Sequence, residues 1–331
     1  MNQSNPRILL KQRPSGIPTK QDLVFDEGKL PEIKPGEVLV RNRFLSLDPY
    51  MRGRMTDKKS YIPPVALGAV MEGECVGQVI SGPGFKEGQW VKGYTGWQHY
   101  ASVPGHMLSP IDTDAAPASS YLGVLGMPGT TAWVGCTKIA VVKPGETFAV
   151  AAASGAVGSV AGQIAKQMGA RVIGIAGGEK KCAYVKKELG FDECIDHRAE
   201  NFAELLREAC PKGIDVYFEN VGGEVQRALF PLLNDQARVA FCGMVAEYND
   251  PTPQPGPSLM AVVFKRLQLR GFIVSDHPQA FAEWQKTGAK LIKEGHLKYR
   301  EDIVKGLENA PEAFAGLLQG KNFGKLVIDL G

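Results

Sequence analysis

Short apolar runs alternate with amphipathic stretches in the middle of the chain. Phe148 to Ala153 is an uninterrupted run of small and apolar residues, which predicts a strand buried on both faces. From Val157 to Met168 the apolar residues recur at spacings of three and four, which predicts an amphipathic helix. Gly169 ends this helix, and Arg171 to Ala176 predicts a second buried strand. The pattern therefore predicts a strand, a tight turn, a helix and a second strand.

The turn between the first strand and the helix consists of small residues, Ser154 to Gly158. A bound pyrophosphate needs backbone N–H groups at a helix N-terminus and no side chain in the way. Gly155 allows close approach of the backbone, and Gly158 allows the helix to pack on the strand. The usual G-x-G-x-x-G is here A-x-x-G-x-x-G, with Ala152 as the first small residue. This unit predicts a dinucleotide site, and the alternative is an ordinary turn of an α/β protein.

The charges after the second strand indicate which dinucleotide is bound. An NAD site usually carries an acidic residue at the end of that strand, where it binds the ribose. Here the strand ends at Ala176, two glycines follow, and Glu179 is succeeded by Lys180 and Lys181. This balance favours a 2′-phosphate, so NADPH is predicted over NADH. The alternative is that the lysines are the solvated start of a helix.

The same alternation continues towards the C-terminus. Further strands are predicted at Glu193–Asp196, Ile214–Glu219, Ala237–Cys242 and Leu267–Val274. Further helices are predicted at Lys180–Leu189, Glu200–Cys210, Val225–Leu233 and His277–Glu294. Ligands of open α/β sheets bind at the carboxyl ends of strands. Segments 220–223, 242–243 and 272–274 are therefore expected to line the cofactor cleft, although their glycines are also compatible with plain turns.

The first part of the chain has a different character. Short strands are separated by frequent proline and glycine, which predicts a β-rich, barrel-like module. The tail, 324–330, predicts a strand that returns to this module. The expected organisation is one domain formed by residues 1–122 and 300–331, with a second domain over residues 123–299.

Composition excludes several classes of function. The chain has 331 residues, 44% hydrophobic and 22% charged, with a net charge of +3, which does not favour a nucleic acid or a membrane surface as partner. Neither a membrane-spanning apolar run nor a signal peptide is evident, so a cytoplasmic location is expected. The six cysteines show no C-x-x-C spacing and the five histidines are scattered, so neither disulfides nor a metal site are predicted.

Several motifs together resemble a known family. They are 45–52 (LSLDPYMR), 126–132 (GMPGTTA), 152–158 (AASGAVG), 218–223 (FENVGG), 242–249 (CGMVAEYN) and 322–325 (NFGK). The chain resembles the medium-chain dehydrogenases/reductases of the zinc-free leukotriene B4 dehydrogenase / prostaglandin reductase branch, and most of all its bacterial NADPH-dependent curcumin reductase type. The resemblance extends over essentially the full length.

The resemblance implies a GroES-like β-barrel domain and a doubly wound Rossmann domain with a parallel sheet. It also implies an NADP site formed by Met127, Thr131, Gly155, Ala156, Val157, Gly158, Gly177, Lys181, His197, Asn220, Cys242, Gly243, Tyr248, Phe272, Ile273, Val274 and Asn322. Lys181 matches the family's 2′-phosphate lysine. His197 stands where the family often has a tyrosine. Zinc-dependent relatives carry Gly-His-Glu where this chain has segment 70–73 (VMEG), which implies chemistry without a metal.

The implied reaction is reduction of a C=C bond conjugated to a carbonyl group, with an α,β-unsaturated aldehyde or ketone as substrate. A hydrogen-bond donor is needed where charge develops on the carbonyl oxygen. Tyr248 is the first candidate and Tyr50 the second. Either ring could instead only shape the pocket, and the ribose 2′-hydroxyl of the cofactor could be the donor.

Two other functions stay open: a quinone reductase, and a non-enzymatic NADPH-binding scaffold. The resemblance further implies a homodimer formed through the edge strand of the Rossmann sheet.

Overall fold

A computed structural model describes residues 4–250, 252 and 254–331. Residues 1–3 of the expected first domain, and positions 251 and 253 of the proline-rich loop 246–257, lie outside the described residues. The chain divides into two compact units. Unit 1 comprises the residues up to Gly123 together with Glu301–Asn322 and Leu326–Gly331. Unit 2 comprises Val124–Arg300 and Phe323–Lys325.

The strands are numbered in chain order. They are β1 (Ser4–Leu10), β2 (Leu23–Lys29), β3 (Glu37–Ser46), β4 (Cys75–Ser81), β5 (Trp90–Gly93), β6 (Tyr100–Pro104), β7 (Ser109–Pro110), β8 (Thr147–Val150), β9 (Arg171–Ala176), β10 (Glu193–Asp196), β11 (Ile214–Glu219), β12 (Leu233–Phe241), β13 (Gln268–Gly271), β14 (Glu301–Lys305) and β15 (Lys325–Asp329).

The α-helices are numbered in the same way. They are α1 (Met127–Val134), α2 (Gly158–Gln167), α3 (Glu179–Lys187), α4 (Phe202–Ala209), α5 (Gly223–Leu229), α6 (Met260–Phe264), α7 (Gln279–Lys293) and α8 (Ala310–Leu318). No helix in the described ranges is long and apolar enough to cross a membrane.

Unit 1 is built around a mainly antiparallel sheet. Its strand order is β14-β15-β3-β4-β5-β7, and β6 also pairs with β3. The C-terminal strand β15 runs antiparallel to β3, with Val327 opposite Ser46. A core of buried apolar residues includes Trp97 and Phe314, whose rings meet edge to face with centroids 5.6 Å apart. The β-rich module expected from the sequence is confirmed.

Unit 2 is a parallel sheet with helices between its strands. The strand order β10-β9-β8-β11-β12-β13 corresponds to 3-2-1-4-5-6 when the strands of this unit are counted from its first one. This is the doubly wound arrangement of Rossmann domains, and its order reverses between β8 and β11. The strands are almost wholly apolar because helices cover both faces. The predicted fold class is confirmed.

Two strand boundaries and one missed strand differ from the prediction for local reasons. Strand β8 ends at Val150, not at Ala153, because Ala152 already adopts φ +51 and begins the turn. Strand β12 begins earlier than predicted, since α5 is followed by a single tight turn and the chain extends again at Leu233. Strand β2 was missed, because its alternation is interrupted by Asp26-Glu27-Gly28. It pairs antiparallel with β1 over its whole length.

A buried tryptophan couples α7 to the start of α1. Trp284 is fully buried, and its indole N–H donates to the carbonyl oxygen of Val124 at 2.7 Å. Trp133 of α1 stacks on it with ring centroids 5.4 Å apart. The indole nitrogen of Trp133 is buried and finds no hydrogen-bond acceptor within the described part of the chain.

These two rings allow a matched test of that hydrogen bond. Trp284→Phe is expected to lower the free energy of unfolding by about 1–3 kcal/mol more than Trp133→Phe, because only the first leaves a buried carbonyl without its donor. Urea unfolding of both variants measures the difference. Equal losses would mean that ring packing alone accounts for the effect.

Candidate active site

The backbone of the turn after β8 packs closely around the carbonyl oxygen of Ala152. The N–H of Gly155 donates to the carbonyl oxygen of Ala152 at 2.8 Å. A Cβ placed on Gly158 would lie 2.4 Å from that same oxygen, and one on Gly155 would lie 3.1 Å away. Any residue other than glycine at position 158 would therefore require a backbone shift. A side chain at position 155 would also lie in close contact with the Ala152 carbonyl oxygen. The partly exposed residues Ala156 and Val157 complete the turn.

A segment from the end of the chain adjoins this turn within unit 2. Gly324 forms an isolated parallel bridge with Gly155. The ring of Phe323 packs edge to face on Tyr184 at 5.0 Å, and the Arg300 guanidinium lies 4.3 Å from its centroid. The predicted cofactor residue Asn322 immediately precedes Phe323 and is partly buried.

The side chain of Asn220 links two strand ends where the sheet order reverses. Its amide nitrogen donates to the carbonyl oxygen of Ala151 at 2.9 Å, which joins the end of β11 to the turn after β8. The carbonyl oxygen of Glu219 accepts the N–H groups of Cys242 and Gly243 at 3.0 and 3.3 Å. The predicted residues Asn220, Cys242 and Gly243 thus meet at the carboxyl edge of the sheet.

Glu219 lies under these residues as a buried carboxyl group. It has no exposed surface, and one of its oxygens accepts the N–H groups of Val221 and Gly222 at 2.7 and 2.9 Å. Burial raises the pKa of this carboxyl group, although hydrogen bonds partly offset that effect. Burial, with the adjacent Glu219 charge, also raises the pKa of the Cys242 thiol to about 12. Cys242 is therefore a neutral thiol at physiological pH and is not a nucleophile.

The hydroxyl group of Tyr248 turns back over the end of β12. Its oxygen accepts the N–H of Met244 at 3.4 Å. A Cβ on Gly243 would lie 3.0 Å from that oxygen, so the absent side chain at position 243 makes room for the phenol. In this contact the phenolic oxygen is the acceptor, so the hydroxyl group acts as a donor through its own proton. The ring is partly buried.

Other predicted residues of unit 2 lie on the neighbouring elements. The Thr131 hydroxyl donates to the carbonyl oxygen of Met127 at 2.8 Å, within the first turns of α1. The Phe272 ring packs edge to face on Phe218 with centroids 6.3 Å apart. Ile273 and Val274 follow as partly buried residues beyond the end of β13.

Basic side chains lie near the end of β9. A Cβ on Gly177 would lie 2.9 Å from the imidazole Nε2 of His197 and 3.0 Å from Nε of Arg198. Desolvation and then the charge of Arg198 lower the pKa of His197. The charge of Lys181 also lowers this pKa, while the carboxylate of Asp196 raises it. Lys181, His197 and Arg198 are therefore electrostatic neighbours, as a site for a phosphate dianion requires.

Arg198 was missed by the sequence reasoning. The sequence shows only that it follows His197 directly, while its position beside Gly177 depends on the parallel pairing of β10 with β9. The carboxylate of Asp196 accepts the N–H groups of Gly178 and Arg198, each at 2.9 Å, and so fixes the loop that presents Arg198.

The second predicted catalytic residue, Tyr50, lies in unit 1. It is partly buried and packs against the apolar core of that unit. Burial, followed by the influence of Tyr94, raises its pKa well above the usual value for a phenol. Tyr50 is therefore a neutral hydrogen-bond donor at physiological pH.

Comparison with known proteins places the chain in a family. An NADPH-dependent curcumin reductase of Escherichia coli (strain K12) is 49% identical over 98% of this chain and 97% of its own length. The chain belongs to the medium-chain dehydrogenase/reductase family. Family models match residues 6–111 as the N-terminal domain of oxidoreductase and residues 156–294 as zinc-binding dehydrogenase. The resemblance drawn from the motifs is thus confirmed.

Two further similarities cover nearly the whole chain. The 2-alkenal reductase (NADP(+)-dependent) of Nicotiana tabacum is 38% identical over 98% of this chain and 97% of its own length. The crystal structure of CurA in complex with NADPH from Vibrio vulnificus has a TM-score of 0.94 at 47% identity, and the match covers 98% of this chain and 99% of that one. In the described part of this chain, no group of three or more His, Cys, Asp or Glu residues is arranged to hold a metal ion.

The cation cluster predicts a preference between the two cofactors. Lys181→Ala and Arg198→Ala are each expected to raise KM for NADPH by about tenfold to a hundredfold, as the loss of a charge-assisted hydrogen bond implies, and to leave KM for NADH nearly unchanged. Steady-state kinetics with both cofactors measure this. Lys187→Ala, a change of an exposed lysine on the same helix, is the control. Equal effects on NADPH and NADH would contradict the assignment.

His197 predicts how the affinity for NADP⁺ depends on pH. Its pKa is lowered in the free protein, and a nearby phosphate would favour the charged ring, so binding should take up a proton. Affinity should therefore rise as the pH falls from about 8 to about 6. Titration of NADP⁺ across this range measures the slope, with His197→Gln expected to flatten it. A slope that the variant retains would show that another group is responsible.

Proposed function

We propose that this protein reduces the C=C bond of α,β-unsaturated aldehydes and ketones, using NADPH. The chain is an oxidoreductase of the family identified above, and NADPH is its cofactor. Relatives named as a curcumin reductase and a 2-alkenal reductase support this substrate class. The structural observation that carries the proposal is the Tyr248 phenol, which Gly243 and the Met244 N–H hold at the carboxyl end of β12.

The residues of unit 2 fit the cofactor. Glycines at positions 155 and 158 keep two positions of the turn before α2 free of side chains, which suits a pyrophosphate. The cations Lys181 and Arg198, with the His197 imidazole beside them, would hold the 2′-phosphate. We assign cofactor binding to unit 2 and substrate binding mainly to unit 1, which carries Tyr50.

The proposed reaction needs a hydrogen-bond donor, which a tyrosine hydroxyl group can supply. NADPH supplies the hydride that reduces the β-carbon of the substrate. Negative charge then develops on the carbonyl oxygen, and a fixed O–H donor aimed at that oxygen stabilises it. We propose Tyr248 as this donor, with Tyr50 orienting the substrate. A proton from solvent then adds to the α-carbon and completes the saturated carbonyl product.

A single change tests the role of Tyr248. Tyr248→Phe removes the hydroxyl and keeps the ring, so kcat is expected to fall by about a hundredfold while the Kd of NADPH stays nearly unchanged. Tyr100→Phe, on β6 of unit 1, is the matched control. If kcat does not change, the ribose 2′-hydroxyl of the cofactor becomes the candidate donor and Tyr248 only shapes the pocket.

The substrate class is tested by NADPH oxidation with an alkenal, an enone, curcumin, 1,4-benzoquinone and a saturated aldehyde. We expect turnover of the first three, with products in which mass spectrometry and NMR show a saturated C=C bond and an intact carbonyl group. Turnover of the quinone alone would support a quinone reductase instead. Tight NADPH binding without any turnover would support a scaffold role.

We also propose that two copies associate through the edge of the unit 2 sheet. Strand β13 is the last in the strand order of that sheet. Four large apolar side chains on and beside the preceding helix α6 are strongly exposed: Leu259 (69%), Met260 (55%), Val263 (68%) and Phe264 (68%). Such a patch next to an open strand edge is typical of a surface covered by a partner, and an edge strand can pair with its own copy across a twofold axis.

Charge on this patch should break the dimer. Val263→Glu combined with Phe264→Glu is expected to give the mass of a monomer in light scattering, since a dimer would bury the two new carboxylates of each copy against those of its partner. Lys293→Glu on α7 serves as the control. A wild-type protein that is already monomeric would overturn the assignment.

A further inference from the structure

A buried glutamate fixes the loop that follows β11. One carboxyl oxygen of Glu219 accepts the N–H groups of Val221 and Gly222 at 2.7 and 2.9 Å, and the residue has no exposed surface. Both donors lie between β11 and α5, outside any strand or helix, so this side chain takes the place of a backbone acceptor. The backbone conformation of the loop therefore depends on one carboxyl group.

The loop after β11 is joined in turn to the loop after β12. The carbonyl oxygens of Asn220 and Val221 accept the N–H groups of Val245 and Ala246 at 3.2 and 2.9 Å. These are two consecutive backbone hydrogen bonds between segments that lie more than twenty residues apart in the chain. A shift of the first loop is therefore passed on to the second.

Side chains of the second loop pack directly on Gly222. A Cβ at that position would lie 3.0 Å from a carboxylate oxygen of Glu247 and 3.1 Å from Cε of Met244. The N–H of Met244 donates to the Tyr248 hydroxyl oxygen at 3.4 Å, and the N–H of Tyr248 donates to the carbonyl oxygen of Val245 at 3.3 Å. The residues that position Tyr248 thus rest on the loop that the buried glutamate fixes.

We propose that Glu219 is a positioning residue for catalysis, which sets the place of the Tyr248 hydroxyl through the two joined loops. This inference rests on the proposed function, in which that hydroxyl donates to the carbonyl oxygen of the substrate. A donor stabilises the developing charge only while it is aimed at the oxygen, so a small displacement of its loop lowers the rate. Glu219 is fully buried and acts on the reaction only through the groups that it holds.

This role needs a hydrogen-bond acceptor at position 219 and not a charge. A glutamine side chain has the same length, and its amide oxygen can accept the same two N–H groups. A methionine side chain has a similar length and fills the space without that oxygen. Glu219→Gln and Glu219→Met therefore separate the loss of the hydrogen bonds from the loss of packing.

The test measures single-turnover oxidation of enzyme-bound NADPH by excess enone, in the wild-type and the Tyr248→Phe backgrounds. Glu219→Met is expected to lower the rate by about tenfold in the wild type, since one transition-state donor is misplaced. In the Tyr248→Phe background the same change is expected to cost less than about twofold, because no hydroxyl is left to position. Glu219→Gln is expected to keep most of the wild-type rate.

Glu146→Met is the matched control. Glu146 directly precedes β8, at the opposite, amino edge of the same sheet. Its carboxylate also accepts a backbone N–H, that of Lys143 at 2.8 Å, and pairs with Arg238. Its replacement should lower Tm, as that of Glu219 does, without slowing the single turnover. If Glu219→Met does not fold at the assay temperature, Glu219→Asp replaces it, because the shorter side chain withdraws the acceptor from the two N–H groups.

The possible outcomes separate the two proposals. An equal loss in both backgrounds would mean that Glu219 acts by another route, which overturns the positioning role and leaves the proposed function intact. A full rate in Glu219→Met, or a loss in Glu219→Gln as large as in Glu219→Met, would overturn that role as well. A wild-type enzyme that reduces no compound of the panel would overturn the proposed function, and this inference with it.

Discussion

The carbonyl oxygen of Ala152 occupies the space that a side chain at position 158 would need. A Cβ there would be 2.4 Å from this oxygen. Because the approach is so close, α2 starts directly after the turn that follows β8, and glycines keep two positions of that turn free of side chains. Ala152 itself adopts φ +51, a conformation that favours glycine and costs about 1 kcal/mol for an alanine. Interactions in the rest of unit 2 offset the cost of this strained conformation, which lies at the proposed pyrophosphate site.

The same edge of the sheet collects the other groups that the chemistry requires. Parallel strands bring all their carboxyl ends to one side, so distant stretches of the chain become neighbours without any local signal between them. Glycines at positions 177 and 243 make room for charged and phenolic groups, respectively. The buried carboxyl group of Glu219 holds the adjoining loop through its N–H contacts. The carboxyl edge of the unit 2 sheet therefore carries cationic side chains near position 177 and the Tyr248 hydroxyl group near position 243.

The parallel sheet and its helices could be predicted because their signals are periodic and local. The glycine turn, Lys181 and the strand-end residues were also within reach of the sequence. The place of Arg198 beside Gly177 was not, since it depends on the pairing of β10 with β9, which only the structure reveals. Strand β2 was missed because what stabilises it is its pairing with β1, not its own composition. What escaped prediction was therefore mostly the pairing of distant residues.

The central claim concerns which carbon of the substrate is reduced. Turnover of an enone with NADPH that carries deuterium at the transferable position, followed by NMR of the product, locates the label directly. The account predicts deuterium at the former β-carbon, a solvent-derived proton at the α-carbon and an intact carbonyl group. Deuterium on the carbonyl carbon, with the C=C bond retained, would contradict it.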